Sequence, residues 1–240
     1  MRFSVAPDVF AAFPEMRIIA VLAVGVENST DRAGLTNEWQ NVWEEAAAAQ
    51  VYGNSQSHPR VSPWRSAFQR TGFSGKKFPS SIEALLRRAL KGGSPFSINP
   101  MVDFYNTVSL KHVVPAGGFD VAALGEHLEL RLTVDGDHFQ ALDDQQQSDV
   151  PAGEVAYASG NAVLTRHFVW RQARRGLITS GTGAALLVSE VLGEIGEEVV
   201  SAVQTEILSG LELHFGVRGQ ARRLDRTSSE ASWDLAHQDD

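Results

Sequence analysis

The spacing of apolar residues in the first half of the chain predicts one buried strand followed by an amphipathic helix. Residues 16–25 form an apolar run bounded by polar, turn-like sequences, which is typical of a buried strand. Trp39, Val42 and Trp43 then recur at helical spacing, and the helix that carries them is expected to end by Gly53. Because large aromatic residues are usually buried, we interpret the two tryptophans as core residues and not as a surface for stacking bases.

Two further helices are marked by residues that favour helix starts. Residues 54–79 are rich in Ser, Gly, Pro and Arg, and this composition predicts an irregular basic loop. Ser80 and Glu83 then form a capping-box pattern ahead of an apolar helical face. Asn99 and Pro100 predict the next helix start, with the asparagine as the cap and the proline at the first helical position.

The second half of the chain is dominated by strand patterns. Residues 115–120 are predicted to form a turn, and residues 128–134 alternate between apolar and polar positions as a strand does. A hairpin is expected about residues 159–161, followed by an apolar segment at 184–192. Residues 194–209 repeat apolar positions at helical spacing and predict an amphipathic helix.

These elements predict one α+β domain over residues 1–217, with a mixed, largely antiparallel sheet and packed helices. The apolar content falls from about Val217 onward, so residues 218–240 are predicted to be a solvated tail. No apolar run approaches the length of a membrane span, the N-terminus lacks a signal-peptide pattern, and the chain has no cysteine. We therefore expect a soluble cytoplasmic protein with no membrane partner.

The distribution of charge adds a candidate RNA surface. The net charge is −8, but residues 60–91 carry eight basic residues and one acidic residue. Basic side chains in such a segment can neutralise phosphates, and the alternative is an ordinary solvated surface whose helical cations interact with the helix dipole. The candidate RNA-binding residues are Arg65, Lys76, Lys77, Arg87 and Arg88.

The sequence lacks the motifs of several common kinds of functional site. The seven histidines lack metal-site spacing, so no metal or other cofactor is expected. The glycine-rich segment at 72–77 has its lysine too early for a phosphate-binding loop, and no serine nucleophile motif occurs. Any catalysis is therefore expected to proceed without a standard side-chain nucleophile.

The central residues resemble a known family. Residues 99–110 read NPMVDFYNTVSL and residues 115–120 read PAGGFD, and together they resemble the B3/B4 tRNA-editing domain of the β subunit of phenylalanyl-tRNA synthetase. The resemblance extends over roughly residues 14–215. It includes the segments RVSPWRSAF, KKFPSSIEALLRRALKGG, GEVAYAS, WRQ and TGAALLVSEVL. We expect a stand-alone relative of this domain and not a complete aminoacyl-tRNA ligase.

The resemblance implies a pocket that hydrolyses tyrosine wrongly attached to phenylalanine tRNA. Such a reaction needs no nucleophilic side chain if the pocket holds the ester and a water molecule in line. Asn106 falls on the family's pocket asparagine, and Gly117 stands where the family pattern has a histidine. These two positions are the candidate catalytic residues. The glycine removes an imidazole that could contact the ester or the water.

The candidate substrate-binding residues are Ser109, Arg171, Gln172 and Glu190. Asn106 and Ser109 are three apart, so their side chains should project together from one helix, although backbone groups could satisfy both. Arg171 and Gln172 offer donors to a carboxylate, carbonyl or phosphate, with a cross-strand salt bridge as the alternative role. The resemblance implies an acidic residue that reads the substrate hydroxyl, and it falls on Glu190, or on Val188 by strict spacing.

The sequence thus predicts a free-standing tRNA-binding protein that takes an aminoacyl end in its pocket and hydrolyses mischarged aminoacyl-tRNA in trans. Its expected partners are tRNA or aminoacyl-tRNA and an amino-acid-like small molecule. One alternative is a non-catalytic module of the same fold that binds an amino acid, a metabolite or RNA, and Gly117 favours it. A second alternative is an enzyme that acts on a small amino-acid derivative.

Overall fold

The computed structural model describes residues 1–49 and 53–235, and in these ranges the chain forms six α-helices and twelve strands. The helices are α1 (Pro7–Ala12), α2 (Ala33–Ala48), α3 (Ser62–Arg70), α4 (Ser81–Leu90), α5 (Pro100–His112) and α6 (Glu197–Gly210). The strands are β1 (Arg2–Val5), β2 (Arg17–Val24), β3 (Ala116–Asp120), β4 (His127–Leu132), β5 (His138–Phe139), β6 (Ser148–Asp149), β7 (Val155–Ser159), β8 (Ala162–Arg166), β9 (Arg171–Gln172), β10 (Ala184–Val191), β11 (Gln220–Leu224) and β12 (Glu230–Ser232).

The strands divide into two sheets. The smaller sheet has the order β11-β2-β10-β3, and all its neighbours are antiparallel. The larger sheet has the order β12-β1-β4-β7-β8-β5-β6, with β9 paired to β8. Its β1–β4 and β5–β8 pairs are parallel and its other pairs are antiparallel. The structure confirms an α+β fold with mixed, largely antiparallel pairing, spread over two sheets.

The two faces of β2 belong to two different hydrophobic cores. Ile18 and Leu22 pack into a core shared with the larger sheet, which contributes Phe3 and Tyr157. Ile19, which points to the opposite face because strand side chains alternate, packs against α5 and α6. A strand covered on both faces has to be apolar at every position, which explains the unbroken apolar run that predicts it.

The starts of α4 and α5 follow from their capping residues. Ser80 Oγ accepts a hydrogen bond from the Glu83 backbone N–H at 3.3 Å, and Asn99 Oδ1 accepts one from Val102 N–H at 3.1 Å. Helices α4 and α5 begin directly after these caps, which confirms the two helix starts predicted from the sequence. The predicted end of α2 near Gly53 cannot be compared in full, because residues 50–52 lie outside the described residues.

Two segments differ from their predicted structure. Residues 54–79 contain the helix α3, whose apolar positions Trp64, Ala67 and Phe68 are buried. The prediction of an irregular loop was wrong because Pro63, taken as a loop residue, occupies the first helical turn. Residues 115–120 were predicted to form a turn, but residues 116–120 form β3, since tertiary pairing with β10 holds the glycines in extended conformation.

The prediction that residues 218–240 form a solvated tail is also wrong for part of that segment. Within residues 218–235, β11 pairs with β2 at one edge of the smaller sheet and β12 pairs with β1 at one edge of the larger sheet. Leu224 and Trp233 are buried, and Trp233 donates its indole N–H to the Gln220 carbonyl at 2.9 Å. The polar composition reflects edge strands, which keep one face in water and need few apolar residues.

Among the described residues, no helix is long and apolar enough to cross a membrane.

Candidate functional site

A cavity of about 280 Å³ lies where the two sheets, α5 and the turn between β8 and β9 meet. Aromatic and aliphatic side chains make up most of its wall, and a few polar groups interrupt them. Such a composition is typical of small-molecule sites, because apolar walls exclude water while a few polar groups fix the ligand's orientation. The lining includes Val102, Asn106, Gly117, Phe119, Tyr157, Thr165, Phe168, Trp170, Arg171, Gln172, Val188 and Glu190.

A buried carboxyl lies in this wall. Glu190 is only 2% exposed, and the Tyr157 hydroxyl donates a hydrogen bond to its Oε1 at 2.5 Å. Burial raises the pKa of Glu190 from 4.5 to about 7, although the hydrogen bond from Tyr157 acts in the opposite direction. The pKa of Tyr157 also lies well above its usual value, because burial and the neighbouring carboxylate disfavour a phenolate. Glu190 therefore changes its protonation state near neutral pH.

Both residues left open by the spacing argument, Val188 and Glu190, line the cavity. They are two positions apart on β10, and strand residues two apart share one face. Their neighbour Ser189 points the other way and donates to the Pro115 carbonyl at 2.7 Å.

Helix α5 brings Asn106 to the cavity through a fixed N-terminus. Asn28 Nδ2 donates to Asn99 Oδ1 at 3.0 Å, and Asn28 Oδ1 accepts from Met101 N–H at 2.8 Å. These bonds anchor the first turn of α5 and so set the position of Asn106 two turns later. Ser109 does not line the cavity, since it is buried and its hydroxyl donates to the Val114 carbonyl at 2.6 Å. The structure thus corrects the expectation that Asn106 and Ser109 share one site.

The two glycines of β3 have different surroundings. A Cβ added at Gly118 would lie 2.7 Å from Ile178 Cδ1, so only glycine fits there without displacement. A Cβ added at Gly117 would meet nothing within 4 Å, and Gly117 lines the cavity. The wall therefore has open space beside Gly117, and a side chain added at this position would have room at its Cβ.

The turn between β8 and β9 forms another part of the wall and is conformationally strained. His167 and Phe168 both have left-handed backbone angles, with φ of 46° and 37°. Burial lowers the pKa of His167, whose ring packs 3.9 Å from the Phe78 ring centroid. Buried Glu154 accepts from the Arg166 Nε–H at 2.8 Å and from the His167 backbone N–H at 2.5 Å, which holds the strained turn in place.

This turn delivers Arg171 and Gln172 to the cavity. Gln172 donates from its side-chain amide to the Gly118 carbonyl at 3.0 Å, which ties β9 to β3. Arg171 is exposed and lies 3.5 Å from Asp143, a loose surface ion pair that costs little to break. The Arg171 guanidinium is therefore available to an anionic or carbonyl group at the cavity.

Tyr157 and Thr165 are among the lining residues that the sequence interpretation missed. They face each other in the β7–β8 register, and Thr165 is in turn the partner of Gln172, so the three form one row across three strands. Within residues 1–49 and 53–235, the buried Thr165 hydroxyl has no hydrogen-bond partner. The alternating pattern of each strand identifies an inward face, but the row itself depends on register, which only the paired strands reveal.

The predicted RNA-binding residues are not equivalent. Arg65 donates to both carboxylate oxygens of buried Glu83, at 2.8 and 2.9 Å, so it serves an internal ion pair. Lys76, Lys77 and Arg88 are exposed, and Arg87 is half-buried. The Arg88 guanidinium lies 4.1 Å from the ring centroid of Phe96, which lines the cavity.

Among the described residues, no group of three or more histidines, acids or cysteines is placed to hold a metal ion. The polar groups of the cavity can orient an organic ligand through hydrogen bonds.

Comparison with known proteins gives the family. A model described as the B3/4 domain matches residues 63–199. The chain belongs to the B3/4 domain family. The part matched to this B3/4 domain includes α5, β3 and β10, the elements that carry Asn106, Gly117 and Glu190. The family expected from the central sequence is thereby confirmed.

The fold can also be set beside solved structures. The B3/4 chain aligns with an N-terminal fragment of the phenylalanyl-tRNA synthetase β subunit from Pyrococcus horikoshii, with a TM-score of 0.47 and 10% sequence identity. The alignment covers 92% of this chain and 53% of that one, so the chain spans about half the length of the fragment. A comparison with curated protein sequences gives no match.

Proposed function

We propose that this B3/4 domain protein binds the aminoacyl end of a tRNA in its cavity and hydrolyses mischarged aminoacyl-tRNA in trans. The observation that carries the proposal is the convergence of Asn106, Gly117, Arg171, Gln172 and Glu190 on one cavity. These residues come from four elements, α5, β3, β9 and β10, and about fifty residues separate the first two elements from the last two.

The cavity chemistry supports hydrolysis by positioning. In the proposed reaction, water attacks the ester carbonyl, the bond to the ribose oxygen breaks, and the free amino acid and the tRNA hydroxyl leave. The Asn106 amide can donate to the ester carbonyl, where negative charge develops as water attacks. The exposed Arg171 guanidinium can hold a phosphate of the terminal nucleotide. The site needs no covalent intermediate, because the ester and the water are brought together in one cavity.

The exposed basic residues support an RNA partner. Arg88 stacks on Phe96 and Lys77 lies 5.2 Å from the ring centroid of Phe78, which in turn contacts Trp170. Since Phe96 and Trp170 both line the cavity, the cations lie close to its wall. A tRNA whose acceptor end enters the cavity would place its phosphates near them.

The tRNA partner is tested by direct binding across a range of salt concentrations. We expect measurable affinity at low salt, a steep loss as salt rises, and a further loss in the double charge reversal Arg87→Glu/Arg88→Glu. The matched control is Arg222→Glu/Arg226→Glu, which makes the same charge change at exposed positions outside the basic segment. Absence of binding at low salt, or an equal loss in both double variants, contradicts the tRNA proposal.

Deacylation is tested with a panel of mischarged tRNAs. We expect release of the amino acid from at least one of them, and a loss of roughly 100-fold or more in rate in Asn106→Ala, the typical effect of removing one positioned donor. Unchanged deacylation in the folded Asn106→Ala protein removes the assignment of Asn106.

Gly117 supports a second candidate, a non-catalytic module that binds an amino acid, a metabolite or RNA. The position faces the cavity and offers no side-chain group to the reaction. Binding of aminoacyl-tRNA without release of any amino acid in the panel favours this second function. The open space at Gly117 also allows Gly117→His, and a gain of deacylation in that variant would show that only the imidazole is missing.

A further inference from the structure

Strand β3 is an edge strand of the smaller sheet, and the cavity passes this edge. The cavity lining includes Val102, which belongs to the core on the α5 side of that sheet. It also includes Phe119 and Val188, which belong to the core shared with the larger sheet. Because paired strands leave no opening between them, a cavity that contacts both faces of a sheet has to pass its edge. Residues 116–118 of β3 line the cavity there.

The main-chain groups of β3 point alternately toward β10 and toward this edge. In an antiparallel pair, the N–H and C=O of one residue point to the same side, and successive residues point to opposite sides. The Gly118 carbonyl accepts from the Gln172 side-chain amide at 3.0 Å, and the Asp120 N–H donates to the Gly176 carbonyl at 3.0 Å. Neither partner lies on β10, so the even-numbered residues of β3 point away from β10 and Gly117 points toward it.

Two neighbouring groups of the outer edge are open to a ligand, the Ala116 carbonyl and the Gly118 N–H. Within residues 1–49 and 53–235, neither is hydrogen-bonded to a group outside the β3–β10 pair. An edge strand with free main-chain groups can pair with a further extended segment. The two groups flank Gly117 and provide one acceptor and one donor, so they match the amino group and the carbonyl of a single extended amino-acid unit.

We infer that the edge of β3 binds the main-chain part of the ligand, with the α-amino group on the Ala116 carbonyl and the ester carbonyl on the Gly118 N–H. The ligand class is an α-amino ester or amide, and this identity rests on the proposed function. The Gly118 N–H is then a second donor, beside the Asn106 amide, at the oxygen where negative charge develops as water attacks. A main-chain donor of this kind needs no side chain at Gly117.

The test measures the solvent exchange of the Gly117 and Gly118 amide protons in the full chain by NMR. In protein labelled with ¹³C-carbonyl, ¹⁵N-glycine, a carbonyl–nitrogen coupling occurs only at the second glycine of a Gly-Gly pair, and the sequence has two such pairs, ending at Gly93 and Gly118. Gly117→Ala, which has room at its Cβ, loses the Gly117 signal and the coupling at Gly118 and so assigns both. Gly92→Ala removes the coupling at Gly93 and assigns Gly118 independently, should Gly117→Ala not fold.

The free protein already gives one result. We expect the Gly118 amide to exchange at least about tenfold faster than the Gly117 amide, because Gly117 points to β10 and Gly118 points to the cavity. Gly117 is therefore the matched internal control.

The second result comes from ligand binding. The probes are the amides of L-phenylalanine, L-tyrosine, L-leucine and L-alanine, which replace the ester so that hydrolysis does not interfere and which differ in side chain. Saturation with an amide that binds should slow exchange at Gly118 by about tenfold or more and leave Gly117 nearly unchanged.

The two main-chain contacts are separated by ligand analogues in calorimetric titrations. For phenylalaninamide, 3-phenylpropanamide lacks the amino group and 2-phenylethylamine lacks the carboxamide. Each analogue should bind roughly tenfold more weakly than the parent amide, the effect of losing one hydrogen bond to the protein. The corresponding analogues of the other amides provide the same comparison for a different side chain.

Each outcome decides the inference. Equal exchange of the two glycines in the free protein, an unprotected Gly118 in the presence of a bound amide, undiminished affinity of both analogues, or no binding of any amide at millimolar concentration overturns it. Protection of Gly118 by an amide in a protein that ignores tRNA would keep this inference and reject the tRNA function. Deacylation of tRNA with Gly118 unprotected by every bound amide would do the reverse.

Discussion

Glu190 carries an electrostatic cost in the cavity wall. Its carboxyl is 2% exposed, and its one side-chain hydrogen bond, from Tyr157, is not enough to keep the pKa at its ordinary value. Within the described part of the chain, no side chain of opposite charge contributes to the pKa of Glu190. A charged carboxylate is therefore disfavoured at this position, and the protein is expected to lose stability as Glu190 ionises.

The first prediction concerns Glu190→Gln and pH. The unfolded carboxyl has a pKa of 4.5 and the folded one about 7, so the folded state binds the extra proton between these values. Stability from this group is therefore fully present below pH 4.5 and is lost as the pH rises toward 7, by about 3 kcal/mol. Glutamine cannot ionise, so the free energy of unfolding of the variant should rise relative to wild type between pH 5 and pH 8.

Urea unfolding of both proteins at the two pH values measures this difference. Titrations elsewhere in the chain are common to both proteins and cancel in the comparison. A difference between variant and wild type that stays constant with pH would show that Glu190 is not ionising in this range.

The second prediction concerns the unpartnered Thr165 hydroxyl. Thr165→Val keeps the shape of the side chain and removes a buried polar group without a partner, so the free energy of unfolding should stay the same or rise by up to about 1 kcal/mol. Ligand affinity should fall by roughly fivefold if the hydroxyl bonds the ligand.

Thr107→Val is the matched control for this substitution. Thr107 is buried on α5 outside the cavity, and its hydroxyl donates to the Asp103 carbonyl at 2.8 Å. Its replacement should lower stability and leave ligand affinity unchanged. Thermal unfolding and calorimetric titration of both variants provide the readout, and the same loss of affinity in both would remove Thr165 from the site.

At the scale of elements, α3 and α4 are joined by an ion pair inside the basic segment. Arg65 on α3 holds the carboxylate of Glu83 on α4, whose side chain is 2% exposed while that of Arg65 is 27% exposed. The capping-box pattern predicts that the Glu83 side chain returns to the Ser80 backbone. The structure shows Arg65 as its partner instead, because α3 packs close enough to offer two hydrogen bonds.

The third prediction follows from this pair. Arg65→Ala leaves the buried Glu83 carboxylate without its partner, and the free energy of unfolding should fall by about 3 kcal/mol. Lys76→Ala, an exposed cation in the same segment, should change stability by less than about 0.5 kcal/mol. Chemical denaturation of both variants tests this. Equal effects would mean that Arg65 is a surface charge, as the RNA-binding prediction assumed.

The elements themselves differ in how far local sequence determines them. Asn99 and Pro100 mark the start of α5 because a cap and a fixed φ act within one turn of the chain. The glycines of β3 have no such local preference. Their extended conformation depends on pairing with β10, about seventy residues away in the sequence, so a turn was the reasonable but wrong expectation.

At the scale of the whole molecule, the last described residues supply an edge strand to each of the two sheets. β11 extends the smaller sheet and β12 extends the larger one, and the buried Trp233 follows β12 directly. The N-terminal amino group of Met1 also donates to the Trp233 carbonyl at 3.0 Å. The two ends of the described chain are therefore part of the folded core.

The fourth prediction is that Trp233→Ala lowers the free energy of unfolding by about 3–5 kcal/mol, the usual cost of removing a large buried aromatic ring. Arg222→Ala, an exposed substitution on the neighbouring strand β11, should have little effect. Thermal unfolding distinguishes the two. A Trp233→Ala protein as stable as wild type would restore the original interpretation of these residues as a solvated tail.

The sequence by itself determined the features that depend on short-range physics. Largely apolar segments identified β2 and β10, caps identified α4 and α5, and the central motif identified the family. It also selected four of the polar residues that line the cavity, Asn106, Arg171, Gln172 and Glu190.

Only the tertiary structure decided which of these groups meet. Register places Tyr157, Thr165 and Gln172 in one row, and sheet packing brings Tyr157 to Glu190. The same packing turns Ser109 away from the cavity, since its hydroxyl finds the Val114 carbonyl. Contacts between residues distant in the chain depend on strand pairing and close packing, and neither leaves a mark on the local sequence.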